Sequence, residues 1–292
     1  MTELVVVAGA TGYLGRHVVA AFAGRGYRVR AIVRSRARAE EPGAFAAPAL
    51  AGLVDEWLVG EVTDPGFLPG ACQGAQRVVS ALGVTRQKAS PWDVDYLANL
   101  RLLQDAERER VGSFLYVNVM HASAGRSLIM RSKSAFAEAL TRSPLAHQVI
   151  NPSGYFSDLA GILQMARRRI VILPPDLGVH IAPIHGADLA RCCIDRLGDV
   201  SGSWDVGGPD VLTYREIADL AATALGKRCV TLTVPMGAVR AAVWVARRFG
   251  ERPATLAQFF ADGLARDAVG KRCGEHHLDA FFRDLTGTDV RR

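Results

Sequence analysis

Three glycines near the start of the chain have the spacing of a phosphate-binding loop. They lie in the segment 9–15, which reads GATGYLG and follows a continuous apolar run, predicted to be a buried strand, over 4–8. Glycines permit a tight turn and let the backbone approach a pyrophosphate, and the helix predicted next presents free N–H groups and its positive dipole end. The segment therefore predicts a dinucleotide site that uses Gly9, Thr11, Gly12, Tyr13, Leu14 and Gly15.

Basic residues follow the second predicted strand, which covers 27–33. Arg34, Arg36 and Arg38 come next, where an NAD site usually has an Asp or Glu that accepts from the ribose 2′-hydroxyl. Guanidinium groups suit a 2′-phosphate instead. We expect NADP(H) to be preferred over NAD(H), with Arg34 as the contact and at least one of the other two solvated.

The elements that must position these residues alternate between strands and helices. Further strands are predicted over 54–59, 77–81, 114–119 and 147–151, and helices over 94–110 and 131–142. This order is typical of the α/β class with a doubly wound parallel sheet, the Rossmann arrangement. We expect a dinucleotide-binding domain over 1–152. A smaller, mainly helical substrate lobe over 153–292 would be interleaved with the last sheet strands, its C-terminal helices available as a lid.

Composition argues against several other classes of protein. The 292 residues carry a formal net charge of +6, which leaves nucleic acid, membranes and anionic ligands open as partners. The arginines are dispersed, however, and the one run of three, 167–169, has no interleaved aromatic residues for base stacking. We expect a small-molecule substrate and no nucleic-acid partner. The oligomeric state is not predicted.

The cysteines and the apolar segments predict the cellular location and the absence of a membrane-spanning segment. Five cysteines occur, with no CxxC pair, so we expect neither a disulfide framework nor a metal site, and a cytoplasmic location. The apolar stretch 238–249 is too short to span a bilayer and is interrupted by Arg240, Arg247 and Arg248. It predicts a helix that covers the core, and no membrane partner.

Several stretches together resemble a known superfamily. The GATGYLG loop, VDYLAN at 94–99, PIHGADLA at 183–190 and TYREI at 213–217 resemble extended and atypical short-chain dehydrogenases/reductases, especially the NmrA-like and isoflavone-reductase-like groups. The resemblance covers most of residues 3–225 and implies an NAD(P)H-dependent oxidoreductase. The stretch 116–197 looks like a bacterial subgroup whose relatives include divinyl-chlorophyllide-reductase-like proteins and ketoreductases of antibiotic biosynthesis, such as those acting on angucyclinones.

The resemblance also assigns roles to residues beyond the phosphate loop. It implies that Glu61 and Val62 flank the adenine and that the segment after the fourth strand runs beside the cofactor. It implies a wall around the nicotinamide after the sixth strand. The further cofactor contacts are Ala81, Leu82, Gly83, Pro152, Ser153 and Gly154, and the expected substrate contacts are Tyr155, Phe156 and His185.

The catalytic residues of the superfamily are only partly present. Most members carry a Ser and a Tyr-x-x-x-Lys, in which the Tyr donates a proton. Lys133 matches the lysine, but Ile129 stands four residues before it, and Asn118 or Val119 replaces the serine. Lys133 and Asn118 are the catalytic candidates. Alternatively, Lys133 is an exposed lysine on a helix surface and Asn118 is a polar group at the end of a strand. His121 or His185 would then be the proton-donating acid.

These observations favour one function and leave two others open. The favoured function is an NAD(P)H-dependent ketoreductase that transfers hydride to the carbonyl of an apolar, polycyclic aromatic small molecule, where a neighbouring phenol could replace the missing tyrosine. The first alternative is reduction of a conjugated C=C bond. The second is a non-catalytic NADP-binding regulator of the NmrA type, which the missing tyrosine also fits.

Overall fold

A central parallel β-sheet organises the molecule. The structure, a computed structural model, describes residues 2–84, 89–173, 178–264 and 266–287. In chain order the strands are β1 (Leu4–Ala8), β2 (Arg28–Val33), β3 (Glu56–Val59), β4 (Arg77–Ser80), β5 (Ser113–Val117), β6 (Ala146–Pro152), β7 (Ile170–Leu173), β8 (His180–Ile181), β9 (Gly202–Gly207), β10 (Leu212–Thr213), β11 (Val230–Thr233) and β12 (Lys271–Arg272). Eight of them form one sheet in the order β12-β9-β6-β5-β4-β1-β2-β3, with every neighbouring pair parallel. The predicted doubly wound α/β fold is confirmed.

Helices cover both faces of this sheet. They are α1 (Tyr13–Gly24), α2 (Arg36–Glu40), α3 (Asn99–Arg108), α4 (Leu128–Thr141), α5 (Phe156–Arg167), α6 (Gly186–Arg196), α7 (Tyr214–Ala224), α8 (Met236–Ala246), α9 (Glu251–Gly263) and α10 (Leu278–Gly287). The start of the helix predicted over 94–110 differs from the prediction, because Trp92–Ala98 is a π-helix that runs directly into α3.

The apolar strands explain why the functional residues meet at one edge. β1 and β5 are buried along their whole length, as expected for strands covered by helices on both faces. One core cluster lies on the face covered by α3 and α4, and a second lies on the face covered by α1 and α6. The chain reverses direction across the sheet between β1 and β4, and ligands of such sheets bind at the carboxyl ends of the strands there.

The second half of the chain adds small sheets and a helical layer. β7 pairs with β11 in parallel and β8 with β10 in antiparallel fashion, while α5, α7 and α10 enclose a third core cluster. The helix predicted to cover the core does not do so: in α8 only Val243 is buried, and α9 has no buried residue. Along the described chain, no helix combines the length and apolarity needed to cross a bilayer.

Candidate cofactor and substrate site

The phosphate loop has the geometry of an open anion-binding turn. Gly9 adopts a φ of +78°, and a Cβ added there would lie 2.6 Å from the backbone oxygen of Ala81, so only glycine fits. A Cβ on Gly15 would collide with the carbonyl of Gly9. Gly12 is the N-cap of α1, so no side chain accepts a hydrogen bond from the first N–H groups of the helix. The first turn contains no acidic residue. The N–H groups at this helix start are therefore available to an anion.

Tyr13 and Leu14 contribute to this loop through their backbone rather than their side chains. Leu14 is buried in the core beneath the loop. The Tyr13 hydroxyl accepts a hydrogen bond of 3.1 Å from the N–H of Gly186 at the start of α6. Burial raises the pKa of Tyr13 to about 12, against the opposing effect of that hydrogen bond. Tyr13 thus connects the loop to α6 as a neutral phenol.

A small cavity beside the loop brings together the residues expected around the adenosine. Its volume is about 150 Å³. The lining includes the predicted contacts Gly9, Thr11, Arg34, Glu61, Val62 and Leu82.

Two of the three arginines after β2 have different surroundings. Arg36 lies over the ring of Trp57 and pairs with Glu40 at 2.8 Å. Arg34 lines the small cavity, is exposed, and forms no ion pair with any described carboxylate. Of the two, Arg34 is the guanidinium that remains available to a phosphate.

Buried Arg16 holds the segment that carries these arginines. Its guanidinium donates hydrogen bonds to backbone carbonyls of Thr11, Arg38, Ala39, Glu41 and Pro48. The segment after β2 is thereby fixed against the phosphate loop.

Lys133 lies at the centre of a buried polar cluster. From α4, its ammonium lies 3.0 Å from a carboxylate oxygen of Asp95, whose side chain is fully buried. It also donates to the carbonyls of Leu82 and Val117 and to the Tyr116 hydroxyl, at 3.3 to 3.5 Å. Burial works against the charge, yet Tyr116 and Asp95 raise the pKa of Lys133 above its ordinary value. Lys133 is therefore a fixed cation, not the exposed helix lysine of the alternative interpretation.

Asp95 is a member of this buried cluster that the sequence analysis missed. The π-helix positions it against Lys133, and the next turn adds Asn99, which accepts from the Ser80 hydroxyl and donates to the Asp95 carbonyl. Burial raises the pKa of Asp95, and Lys133 opposes the rise. One signal was present: Asp95 and Asn99 are polar residues four apart on a face otherwise made of Val94, Ala98 and Leu102.

Asn118 is held in a chain of amide hydrogen bonds just after β5. Its side-chain nitrogen donates to Asn151 at 2.9 Å, and Asn151 in turn donates to Asp205 at 2.9 Å. The Asn118 side chain also lines the large cavity described next. A catalytic role for Asn118 stays a prediction, and the geometry directs one of its donors away from the cavity.

A large apolar cavity extends from Lys133 toward the C-terminal helices. Its volume is about 630 Å³, within the range of pockets that bind drug-sized molecules. Pro152, Ser153, Gly154 and Tyr155 line it together with Lys133, as the resemblance implies. Most of the remaining lining is aliphatic or aromatic.

Ile129 lines this cavity at the position where most relatives carry the proton-donating tyrosine. Other groups that face the cavity and can carry a proton include His121, Asp158 and Tyr214. Tyr116 is the tyrosine that contacts the Lys133 ammonium, and Tyr155 lines the cavity together with the same lysine. Burial raises the pKa of Tyr155 well above its ordinary value although the ammonium opposes the rise, so the phenol is a weak acid.

Two predicted substrate residues lie outside this cavity. Phe156 is fully buried in the third core cluster, so its ring does not face the cavity. His185 is the N-cap of α6, accepts from Ala187, and stacks on His276 with 4.3 Å between ring centres. Burial, followed by the neighbouring His276, lowers the pKa of His185 to about 4. His185 is thus a neutral structural residue near pH 7.

The C-terminal helices form one wall of the cavity and contact the lysine helix. Asp262 of α9 accepts hydrogen bonds of 2.8 Å from the N–H groups of Arg126 and Ser127, and Gln258 donates to its other oxygen. Ser127 is the N-cap of α4, the helix that carries Lys133. The α8–α9 pair is therefore attached directly to the element that positions Lys133.

Comparisons with known proteins agree with this geometry. A chloroplast divinyl chlorophyllide a 8-vinyl-reductase from Zea mays is 28% identical over 264 residues, 82% of this chain and 64% of the relative. Photosystem II assembly factor Ycf39 from Cyanophora paradoxa is 29% identical over 164 residues, 54% of this chain and 47% of the relative. The chain thus spans less than two thirds of the length of these curated relatives.

Solved structures and a family profile complete the comparison. An NADPH-dependent quinone oxidoreductase from Escherichia coli, complexed with NADPH, superposes with a TM-score of 0.74 at 18% identity, over 97% of this chain and 99% of that one, which shows the shared fold. The expected NmrA-like, atypical dehydrogenase/reductase superfamily is confirmed at that coarse level. A profile described as NAD(P)H-binding matches residues 9–199, well over half of the chain, and the protein therefore belongs to this NAD(P)H-binding family.

Proposed function

We propose that this protein is an NADPH-dependent reductase that acts on the carbonyl group of a large apolar, polycyclic aromatic molecule. The observation that carries the proposal is the position of Lys133. Its ammonium is held by Asp95 and two backbone carbonyls at the end of the large apolar cavity. A fixed cation in an apolar site stabilises an oxygen that gains negative charge.

The residues present fit NADPH as the hydride donor. Glycines that leave room for a pyrophosphate, an uncapped helix start and the unpaired guanidinium of Arg34 would hold the dinucleotide. Bound NADPH would supply the hydride. The preference for NADPH over NADH rests on Arg34, which lines the small cavity and has no carboxylate partner among the described residues.

The source of the proton follows from the side chains around Lys133. Ile129 has no exchangeable proton, and the raised pKa of Tyr155 makes that phenol a weak acid. We infer that the proton comes from water or from a phenol of the substrate adjacent to the carbonyl, and His121, Asp158 and Tyr214, which also line the cavity, are the side chains that would replace them as donors. Lys133 would stabilise the alkoxide until that transfer occurs.

Reduction of a conjugated C=C bond is the second candidate. It is favoured by the similarity to the divinyl chlorophyllide a 8-vinyl-reductase, whose name specifies reduction of a vinyl group. The same apolar cavity would hold such a substrate, and Lys133 would stabilise charge delocalised onto a conjugated oxygen.

Turnover with labelled cofactor separates these reactions. The protein would be incubated with NADPH deuterated at the transferable position and with three tricyclic aromatic probes. One is a ketone with a neighbouring phenol, the second is the same ketone without it, and the third is a vinyl-substituted analogue. We expect deuterium on the alcohol carbon of the first product and slower reaction of the second probe.

Two results would contradict the proposal. Deuterium found only in the reduced vinyl group would establish C=C reduction. Tight NADPH binding with no turnover of any probe would favour a non-catalytic NADPH-binding protein, a function that the similarity to an assembly factor also allows.

A further inference from the structure

The helical pair α8–α9, residues 236–263, has an unusual surface. Its first helix is almost entirely apolar in sequence, yet only Val243 is buried there, and α9 has no buried residue. Four large apolar side chains of this pair are exposed: Trp244 (64%), Val245 (44%), Phe249 (77%) and Phe260 (57%). A concentration of exposed aromatic residues on one element indicates an interaction surface.

Unpaired positive charge surrounds these aromatic residues. Arg240, Arg247, Arg248 and Arg252 are all exposed and form no ion pair with a carboxylate in the described part of the chain. The helical pair contains two acidic residues, Glu251 and Asp262, and Asp262 already accepts three hydrogen bonds. The exposed surface of α8–α9 is therefore apolar and cationic.

A cleft between the two helices concentrates this charge. Its volume is about 410 Å³, and its charged lining consists of four arginines and one carboxylate: Arg126, Arg240, Arg247, Arg266 and Asp262. Trp244 also lines this cleft. Cationic groups and an exposed tryptophan within one small region are the combination that binds at the interface of an anionic membrane.

The same helical pair borders the large apolar cavity. Val239 and Ala242 of α8 and Phe260 of α9 line it, and Phe260 is more than half exposed. The wall of the cavity and the exposed apolar surface are thus formed by the same two helices.

We propose that α8–α9 docks on the surface of an anionic lipid bilayer. Trp244 and Phe249 enter the boundary between headgroups and acyl chains, and the arginines contact lipid phosphates. A second copy of the chain fits this surface less well, because a two-fold contact would place the same set of arginines against itself. The docking replaces the sequence-based expectation of no membrane contact, and it does not depend on which bond the protein reduces.

Vesicle flotation tests the proposal with the full chain. The protein would be mixed with vesicles of phosphatidylcholine alone, or of phosphatidylcholine with an equal amount of phosphatidylglycerol. We expect binding to the anionic vesicles that weakens as salt is raised. Replacing Arg247 and Arg248 by Gln should weaken binding roughly 30-fold, at about 1 kcal/mol for each arginine.

Paired variants separate the apolar contribution from the charge. Trp244→Ser with Phe249→Ser should weaken binding by roughly 10-fold or more, because two large apolar side chains no longer enter the lipid. The matched controls are Val200→Ser, at an exposed valine before β9, and Arg191→Gln, at an exposed arginine of α6. Both controls should bind vesicles like the unaltered protein, and all variants should keep the same NADPH affinity if they are folded.

Three results would overturn the proposal. The first is equal binding to neutral and anionic vesicles, and the second is no binding to either. The third is a dimer in sedimentation experiments that dissociates when Trp244 and Phe249 are substituted, while neither the unaltered protein nor the variants bind vesicles. That result would assign the surface to a second copy.

Discussion

Charged side chains are buried and paired in one region of the described structure, and exposed and unpaired in another. Around Lys133 the charges are buried and paired, with Asp95 fully enclosed and 3.0 Å from the ammonium. On α8–α9 the arginines are exposed and have no carboxylate partner among the described residues. A buried pair fixes a charge at one point where it can act on a reacting oxygen, whereas exposed charges attract a partner without fixing its position. The large apolar cavity lies between the two regions.

Removing the lysine should have the largest effect, because it breaks the buried pair. Lys133→Met leaves Asp95 buried without its partner, so we expect a loss of about 3–5 kcal/mol in the free energy of unfolding, measured with urea. Turnover of the ketone should fall by roughly 10²–10³ through loss of the electrostatic contribution.

A double variant separates the two roles of that pair. Lys133→Met combined with Asp95→Asn should recover much of the stability, because no buried charge is left, but should recover no turnover. An unchanged unfolding free energy in the single variant would mean that the buried pair is not a feature of the folded protein.

The second prediction concerns Gly12, an exposed residue of the phosphate loop. Gly12→Val should weaken NADPH binding by about 3 kcal/mol or more in calorimetry, because the side chain would displace charge-assisted bonds from the helix start to the pyrophosphate. The fold should survive, since Gly12 has a φ of −68° that valine can adopt. Gly24→Val is the control, because a Cβ there meets no atom within 4 Å. Unchanged affinity in a folded Gly12 variant would contradict the assignment of the loop.

Arg34 combines features of both regions, because it is exposed and has no carboxylate partner among the described residues, yet it lines the small cavity of the cofactor site. Arg34→Ala should weaken NADPH binding by about 1–3 kcal/mol and leave NADH binding nearly unchanged. Arg36→Ala, at an arginine already paired with Glu40, should affect neither. Equal affinities of the unaltered protein for the two nucleotides would refute the predicted preference.

The smallest effect is expected at Tyr155, a tyrosine that lines the large cavity together with Lys133. Tyr155→Phe should change turnover by less than about threefold, since the raised pKa of this phenol makes it a poor proton donor. Steady-state kinetics with saturating NADPH would measure this. Inactivity comparable to that of a Lys133 variant, with cofactor still bound, would identify Tyr155 as the acid.

The parts of the site that depend on local pattern were predictable from the sequence. An apolar run, a glycine loop and a helix in succession define β1, the phosphate loop and α1, and the structure places them as expected. The position of Lys133 followed from the resemblance. Local spacing was sufficient in these cases because neighbouring residues in the chain form each feature.

The parts that depend on tertiary packing were not predictable in this way. Asp95 reaches Lys133 because the chain forms a π-helix, and the periodicity of 94–110 fits an α-helix equally well. His185 stands in a motif typical of the superfamily, but its stacking partner His276 lies 91 residues later in the chain. The apolar pattern of α8 is the same whether such a helix covers a core or faces outward.

The π-helix at Trp92–Ala98 also suggests how such a site can arise or disappear in a lineage. A π-turn holds about one residue more than an α-turn, so deleting one residue from 92–98 would restore the α-helical pairing. The helical residues before the deletion would then rotate by about 100° around the helix axis relative to α3, and Asp95 would point away from Lys133. A deletion of one codon would therefore convert this arrangement into one in which Lys133 has lost its carboxylate partner.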